Sequence, residues 1–285
     1  MKMEDQKFKL TEQQLGFFRT FGYLSFPGLM ADRITAIQRE FEAVWEAHGG
    51  GHNGKPHEGK ARSCIVPFID QSEVLCTLLD DPRILGIAYS ILGDDFNYTG
   101  SDGNFYVGET RWHSDGARSP EDPIHIKIAF YLDPLTRDTG ALRVIPGSHL
   151  LGDGYADTLS NQIGNSQEQW ALHGRDIPAA VLETQPGDLV MFNHNTKHAA
   201  FGGGTRRRMF TINLSQRYPE NRLDDLRKHI ATASRFWIER KYGEKMVRTA
   251  GPERMRHLEQ NLANDGHLAE LSRQAREQMS EPSRG

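Results

Sequence analysis

Gly108-Glu109-Thr110-Arg111-Trp112-His113-Ser114-Asp115-Gly116 is the stretch around which this 285-residue chain is organised. In extended backbone, side chains alternate faces, so His113 and Asp115 point the same way. An imidazole nitrogen then stands beside a carboxylate oxygen. Two such ligands leave a metal ion under-coordinated, and a third has to arrive from elsewhere in the chain. An isolated His-x-Asp is common by chance, so its meaning depends on the sequence around it.

Working outward, short apolar runs at 97–107, 124–132, 142–145, 189–192 and 209–214 read as strands, with briefer ones at 23–26 and 64–69. Turn clusters separate them: Asp138-Thr139-Gly140, Pro146-Gly147-Ser148 and Gln185-Pro186-Gly187-Asp188. Many short strands with Gly and Pro turns predict a sandwich or barrel. Helices precede this block. Thr11 caps one over 11–21, with Gln14 in the capping-box position. A second spans about 31–47, with Ile34, Ile37, Phe41, Val44 and Trp45 at helical spacing. A third covers 82–92 and ends at Gly93. His48, His52 and His57 read as members of a solvated loop, since no carboxylate partner stands at fixed spacing.

After Pro219 the chain turns helical. Ile230, Ala233, Phe236, Trp237 and Tyr242 form one face, and Met255, Leu258 and Leu262 another; the part after Gly266 is strongly charged and reads as a frayed, solvated end. The organisation expected is a sandwich or barrel unit with N-terminal helices over 1–222 and a helical extension over 223–285 packed on the same domain. A homodimer contact or a lid over the substrate is the alternative role for the extension.

Composition narrows the function classes. Hydrophobic residues make up 37% and charged residues 25%, as in a globular protein with a sizeable core. A net charge of −4 argues against nucleic acid or an anionic membrane as partner. Nothing approaches 18 consecutive apolar residues, and no apolar stretch follows the charged N-terminus. Cys64 and Cys76, the two cysteines, have no zinc-type spacing and read as buried free thiols. The expected setting is cytoplasmic.

Three stretches carry the chemistry when taken together: residues 108–116, then Asp138-Thr139-Gly140-Ala141-Leu142-Arg143-Val144-Ile145-Pro146-Gly147-Ser148-His149, then Gly187-Asp188-Leu189-Val190-Met191-Phe192 followed by His198 and Arg206-Arg207-Arg208. In order and spacing, about residues 10–220 resemble the phytanoyl-CoA dioxygenase family of Fe(II)/2-oxoglutarate oxygenases. The resemblance implies a double-stranded β-helix (jelly-roll, cupin-like) core. It also implies Fe(II), 2-oxoglutarate and O₂ as cofactor and co-substrates. His113 and Asp115 match the first two iron ligands and His198 the third. His194 competes with His198, but the family's distal histidine follows the strand-ending Phe by six residues, as His198 follows Phe192. The family's His-Gly-Ser is His198-Ala199-Ala200 here. The next loop, Phe201-Gly202-Gly203-Gly204-Thr205, is compact, which leaves the arginine count open by a residue or two. His149 braces its turn in this reading.

Two histidines and one carboxylate leave coordination positions open for a co-substrate and O₂. The distal carboxylate of 2-oxoglutarate requires a deep cation, which a planar guanidinium supplies with two charge-assisted bonds. Alternation along the strand places Arg207 with Met209, Thr211 and Asn213 on a more polar face, and Arg208 with Phe210, Ile212 and Leu214 on an apolar one. Arg207 is therefore the expected anchor and Arg208 the alternative, the remaining arginines of the run reading as a solvated face. Lys127 and Trp112 are secondary candidates for lining the co-substrate pocket. Lys127 faces opposite to Ile126 and Ile128. The expected activity is oxidation, by default hydroxylation, of a C–H bond in a small-molecule metabolite, with release of succinate and CO₂. Desaturation, ring formation and endoperoxide formation share these ligands. A non-catalytic jelly-roll binding module and a cupin-type metal enzyme without co-substrate are the rivals. Residues 49–60, 117–123 and 152–178 are expected to border the substrate.

Overall fold

A Thr11–Gln14 capping box opens α1 (Glu12–Phe21), and Gly22 closes it in left-handed backbone. The computed structural model describes residues 8–116 and 120–285; the loop expected at 117–123 is thus described only from Pro120. Two sheets follow from eleven strands. These are β1 (Tyr23–Phe26), β2 (Ser63–Ile65), β3 (Phe96–Gly100), β4 (Gly103–Tyr106), β5 (Thr110–His113), β6 (His125–Tyr131), β7 (Leu142–Val144), β8 (Ala180–Leu182), β9 (Leu189–Asn193), β10 (His198–Ala200) and β11 (Arg207–Gln216). The larger sheet runs β1-β9-β6-β11-β4-β2, with β3 pairing the far end of β11; the smaller runs β5-β10-β7-β8. Every strand pair is antiparallel. This is the expected jelly roll.

The larger sheet is buried on both faces, and alternation decides what each face meets. Ile126, Ile128 and Phe130 of β6 and Phe210, Ile212 and Leu214 of β11 point outward into the main core. There they meet α2 (Ile34–Ala47), α3 (Glu73–Cys76) and α4 (Pro82–Leu92). Phe130 stacks on Phe210 at 4.4 Å between ring centroids, and Trp45 on Phe105 at 4.1 Å. Ala129 and Tyr131 of β6, with Met209 of β11, point the other way and pack with Leu142, Val144 and Phe192 between the sheets. Such a two-sided strand reads as an almost unbroken apolar run, and Lys127 interrupts it on the inner face.

Two expectations change. Residues 152–178, expected to border the substrate, carry α5 (Gly154–Gln162) and α6 (Ser166–Trp170), and neither they nor residues 49–60 line the large cavity that holds His113 and His198. Only Ala156 and Leu159 of α5 are buried, so its sequence lacks a clear apolar stripe. The chain after Gly266 is also ordered. After α7 (Leu223–Ala231), α8 (Glu244–Arg248), α9 (Pro252–Arg256) and α10 (Glu259–Leu262), α11 (Leu268–Gln278) buries Leu268 completely against Leu226 and Ile230. Charge on one side of α11 hid the single anchor on the other. His52 and His57 likewise leave the solvent: His52 contacts the carbonyls of Cys64 and Pro282, and His57 meets Ser63 Oγ and the Thr205 carbonyl. Cys64 and Cys76 are buried free thiols, both pushed up to about 12 by burial.

Candidate active site

Strand pairing brings His113 and His198 together. They are direct partners across β5 and β10, and their ring centroids stand 4.2 Å apart. Asp115 lies just past the end of β5, where its N–H donates to the His194 carbonyl at 2.9 Å. Its carboxylate sits 3.8 Å from His113 Nε2 and 3.6 Å from His198 Nε2. One ligand atom from each of the three residues falls within 4.8 Å of the others, the one such cluster among the described residues.

The tautomers follow from the backbone. His113 Nδ1 lies 2.8 Å from the Arg111 carbonyl and His198 Nδ1 2.9 Å from the Thr196 carbonyl. A carbonyl only accepts, so each Nδ1 carries the proton and each Nε2 lone pair faces Asp115. Burial pushes His198 down to about 4 against the pull of Asp115, keeping the imidazole neutral at physiological pH. Burial works to raise the Asp115 carboxyl, but Lys127, His198 and His194 outweigh it and hold it far below the carboxylate range. Two neutral imidazoles and an ionised carboxylate are the donor set that a divalent iron takes.

A cavity of about 1080 Å³ opens on this cluster. Arg207, Met209, Thr211 and Asn213 of β11 line it, as do Lys127, Ala129 and Tyr131 of β6. Lys127 reaches Asp115 at 2.8 Å and is also drawn toward Asp102. Asp102 accepts from Asn104 Nδ2 at 2.6 Å and from the Thr211 hydroxyl. Arg207 is 7% exposed, and its Nη1 has no hydrogen-bond partner. Burial pushes this guanidinium down, and Tyr131 and Tyr106 pull it back.

Space for that guanidinium comes from two glycines. A Cβ on Gly140, where φ is +97°, would lie 1.9 Å from Arg207 Nη1, and one on Gly203 would lie 2.3 Å from it. Both loops must lack side chains for the arginine to sit where it does.

Arg208 faces the other way. It binds Asp133 through Nε at 2.9 Å and Nη2 at 2.6 Å, and Glu42 through Nη1 at 2.8 Å. Arg206 also pairs with Glu42 at 2.8 Å and lies over the Phe105 ring at 4.2 Å. Of the two flanking members, Arg206 stays exposed and Arg208 is partly buried, and both are ion-paired to Glu42 of α2. Arg208 is absent from the cavity wall, whereas Arg207 lines it. Trp112 borders the cavity, but its indole N–H donates to the Gly174 carbonyl at 2.7 Å and its ring packs with Ile145, Leu159 and Phe201. As the strand neighbour of His113 it occupies the opposite face of β5, where these contacts brace the strand. His194 borders the same cavity outside the three-ligand cluster. His149 contacts the Arg19 carbonyl at 3.2 Å beside α1, away from the cluster.

The family model described as phytanoyl-CoA dioxygenase (PhyH) matches residues 18–209, more than half of the chain. The chain belongs to the phytanoyl-CoA dioxygenase family. It is accordingly a non-haem Fe(II)- and 2-oxoglutarate-dependent oxygenase. Three solved structures share its fold. The α-ketoglutarate-dependent carbocyclase SnoK from nogalamycin biosynthesis is 20% identical, covering 73% of this chain and 84% of its own, with a TM-score of 0.57. EctD from S. alaskensis is 21% identical over 73% and 77%, with a TM-score of 0.54. HygX from Streptomyces hygroscopicus, solved with nickel and 2-oxoglutarate bound, is 17% identical over 74% and 88%, with a TM-score of 0.54. No curated protein matches in sequence.

The residues fit the family's cofactors. His113, Asp115 and His198 present an iron donor set with the tautomers fixed, and the buried, unpartnered Arg207 Nη1 suits a carboxylate in the same cavity. Sequence reasoning missed Asp102, Arg62 and the cavity-lining residues beyond Pro219. Asp102 could have been found as a lone acid between two strands; the others reach the cavity only through tertiary packing.

Proposed function

We propose that this enzyme hydroxylates an unactivated C–H bond of a small-molecule metabolite, using His113, Asp115 and His198 as iron ligands and Arg207 as the 2-oxoglutarate anchor. One observation carries the reading: a single cavity contains the three-ligand cluster, a buried guanidinium lacking a partner, and room for a second organic molecule. Iron bound at the cluster supplies the O₂ chemistry that couples oxidative decarboxylation of 2-oxoglutarate, to succinate and CO₂, with substrate oxidation.

The chain's own residues do the positioning. The Arg111 and Thr196 carbonyls hold the two imidazoles in the ligating tautomer. Lys127 keeps Asp115 ionised and oriented. Arg207 fixes one end of the dicarboxylate, and the apolar wall of Ala129, Leu142, Phe192 and Met209 excludes water from the space between. The intact Asp115 leaves no ligand position vacated for a halide, and the complete cluster argues against a relic binding module.

We further take 1–222 as the catalytic unit and 223–285 as part of the same domain. Supporting this, the Gly243 N–H donates to Asp70 at 2.9 Å, and Phe236, Ile238 and Lys241 border the cavity. A cytoplasmic setting belongs to the same proposal.

The test is succinate release by iron-loaded protein as a function of 2-oxoglutarate, followed by mass analysis of candidate metabolites. Gain of one oxygen atom supports hydroxylation. Loss of two hydrogens marks desaturation or ring closure instead, and no succinate from 2-oxoglutarate refutes the assignment.

A further inference from the structure

The cavity extends past the iron cluster to a wall that the family match at 18–209 does not reach. Lys241 and Arg235, from the helical extension, border it there beside Arg62. Lys241 is 7% exposed, and a Cβ on Gly100 would come within 3.6 Å of its Nζ. Among the described residues, no carboxylate stands within ion-pair distance of that ammonium. Its nearest acids are engaged. Asp70 accepts from Tyr98 Oη at 2.8 Å and from the Gly243 N–H at 2.9 Å. Asp265 accepts from the Lys241 N–H at 2.9 Å and from Arg240 Nε at 3.1 Å. Burial pushes the Lys241 ammonium down to about 8, with Asp70 and Asp265 pulling the other way. A buried cation without its own counter-ion is costly, and one that borders a cleft is a candidate for meeting a ligand there.

The neighbouring charges agree. Arg235 is exposed, stacks on Phe236 at 4.7 Å and makes no ion pair among the described residues. Arg62 bonds Asn104 Oδ1 at 2.8 Å and reaches Asp102 at 3.4 Å, an acid it shares with Lys127. Both arginines border the cavity. Of the other side-chain acids bordering the cavity, Asp115 is taken by Lys127, and Asp122 and Asp225 by Arg222; the carboxylate of Gly285 also borders it, beside Arg62, and leaves Lys241 and Arg235 unpaired among the described residues. The charge left over at this wall is positive.

Register separates this wall from the co-substrate anchor. Gly100 pairs with Asn213, six residues along β11 from Arg207, or about 20 Å at strand spacing. One 2-oxoglutarate cannot serve both ends. Asn213 pairs in turn with Lys127, so Gly100 stands level with the lysine that holds Asp115, two strand spacings or about 10 Å away.

We propose that the organic substrate carries an oxyanion group, a carboxylate or a phosphoryl group, received by Lys241 and Arg235 with Arg62, so that the remainder of the molecule is presented to the iron cluster. This rests on the function proposed above. The test uses protein loaded with Fe(II) and 2-oxoglutarate without O₂, titrated calorimetrically with inorganic phosphate, phenylphosphonate, benzoate and, as neutral control, benzyl alcohol. An anionic probe binds and the alcohol does not; phosphonate against benzoate distinguishes the two sources of the oxyanion. Lys241→Met weakens anion binding by about tenfold or more, Lys241→Arg retains most of it, and Arg235→Gln weakens it about threefold. Equal affinity for the alcohol, or unchanged anion affinity in Lys241→Met, overturns the proposal. If Lys241→Met does not fold, Arg235→Gln decides alone, since that side chain is exposed and makes no ion pair among the described residues, its one contact being the Phe236 ring. Succinate release by the unsubstituted protein is measured alongside. Succinate without anion binding refutes only the anionic wall, whereas anion binding without succinate refutes the oxygenase reading.

Discussion

Removing the Arg207 guanidinium should damage 2-oxoglutarate binding out of proportion to any effect on the fold. In the free protein this group is 7% exposed, with Nη1 unsatisfied between Gly140 and Gly203, so its loss breaks no protein hydrogen bond at that atom. A carboxylate bound there loses a buried charged partner, which costs about 2–5 kcal/mol, or about 30-fold to several thousand-fold in affinity. Arg207→Ala should raise the apparent 2-oxoglutarate constant by that factor, and Arg207→Lys should recover only part, because an ammonium cannot reproduce the two-pronged contact. Arg208→Ala should do the reverse. Its ion pairs with Asp133 and Glu42 tie β11 to α2, so it should lower stability by about 1–3 kcal/mol while moving the constant less than about threefold. Gly140→Ala provides an independent check, since the added methyl would stand 1.9 Å from Nη1 at a φ of +97°. It should reproduce the Arg207→Ala phenotype with the arginine still present. Succinate release titrated against 2-oxoglutarate, with urea melts on each variant, separates these effects. A larger rise in the constant for Arg208→Ala than for Arg207→Ala would refute the assignment.

Other consequences are equally direct. His113→Ala, Asp115→Ala and His198→Ala should each lose bound iron and turnover, whereas His149→Ala should keep the metal; metal analysis after gel filtration reads both, and retention of iron by His198→Ala would break the proposed ligand set. Leu268→Ala deletes a fully buried anchor of α11 and should cost about 2–5 kcal/mol, seen as a lower thermal midpoint. Asp70 gives a pH signature: burial raises its carboxyl to about 6 against hydrogen bonds from Gly243 and Tyr98. Because the folded value lies above the unfolded one, its contribution is fully present below about pH 4 and disappears as pH rises through 6. Unfolding curves should then show the wild type losing about 3 kcal/mol relative to Asp70→Asn between pH 4 and 7. A pH-independent difference would show that this carboxyl is not perturbed.

What could be read in advance divides along a physical line. Period-two alternation is local, so it placed Arg207 opposite Arg208 and turned Lys127 away from Ile126 and Ile128 without any tertiary information; the structure shows these faces. Extended backbone likewise put His113 and Asp115 side by side. The meeting of His113 with His198 is different in kind. It depends on β5 pairing with β10 across a separation of 85 positions, which no window on the sequence contains, and only the ordered resemblance to a family supplied it. The glycine cradle is harder still. Gly140 and Gly203 look like ordinary turn residues until two loops close on one guanidinium. The extension shows the limit most clearly. Charge after Gly266 suggested a solvated end, yet one buried leucine anchors α11; before it, Lys241 is buried and faces the cavity. A lysine in a helical, charged segment carries no local sign that its ammonium will be desolvated. That sign arises only when Gly100 offers a wall without a side chain and both nearby carboxylates are already bonded elsewhere. In this fold the facing of His113 with Asp115 and of Arg207 away from Arg208 is legible from strand periodicity, while the third ligand, the glycine cradle and the Lys241 wall are set by packing between distant segments.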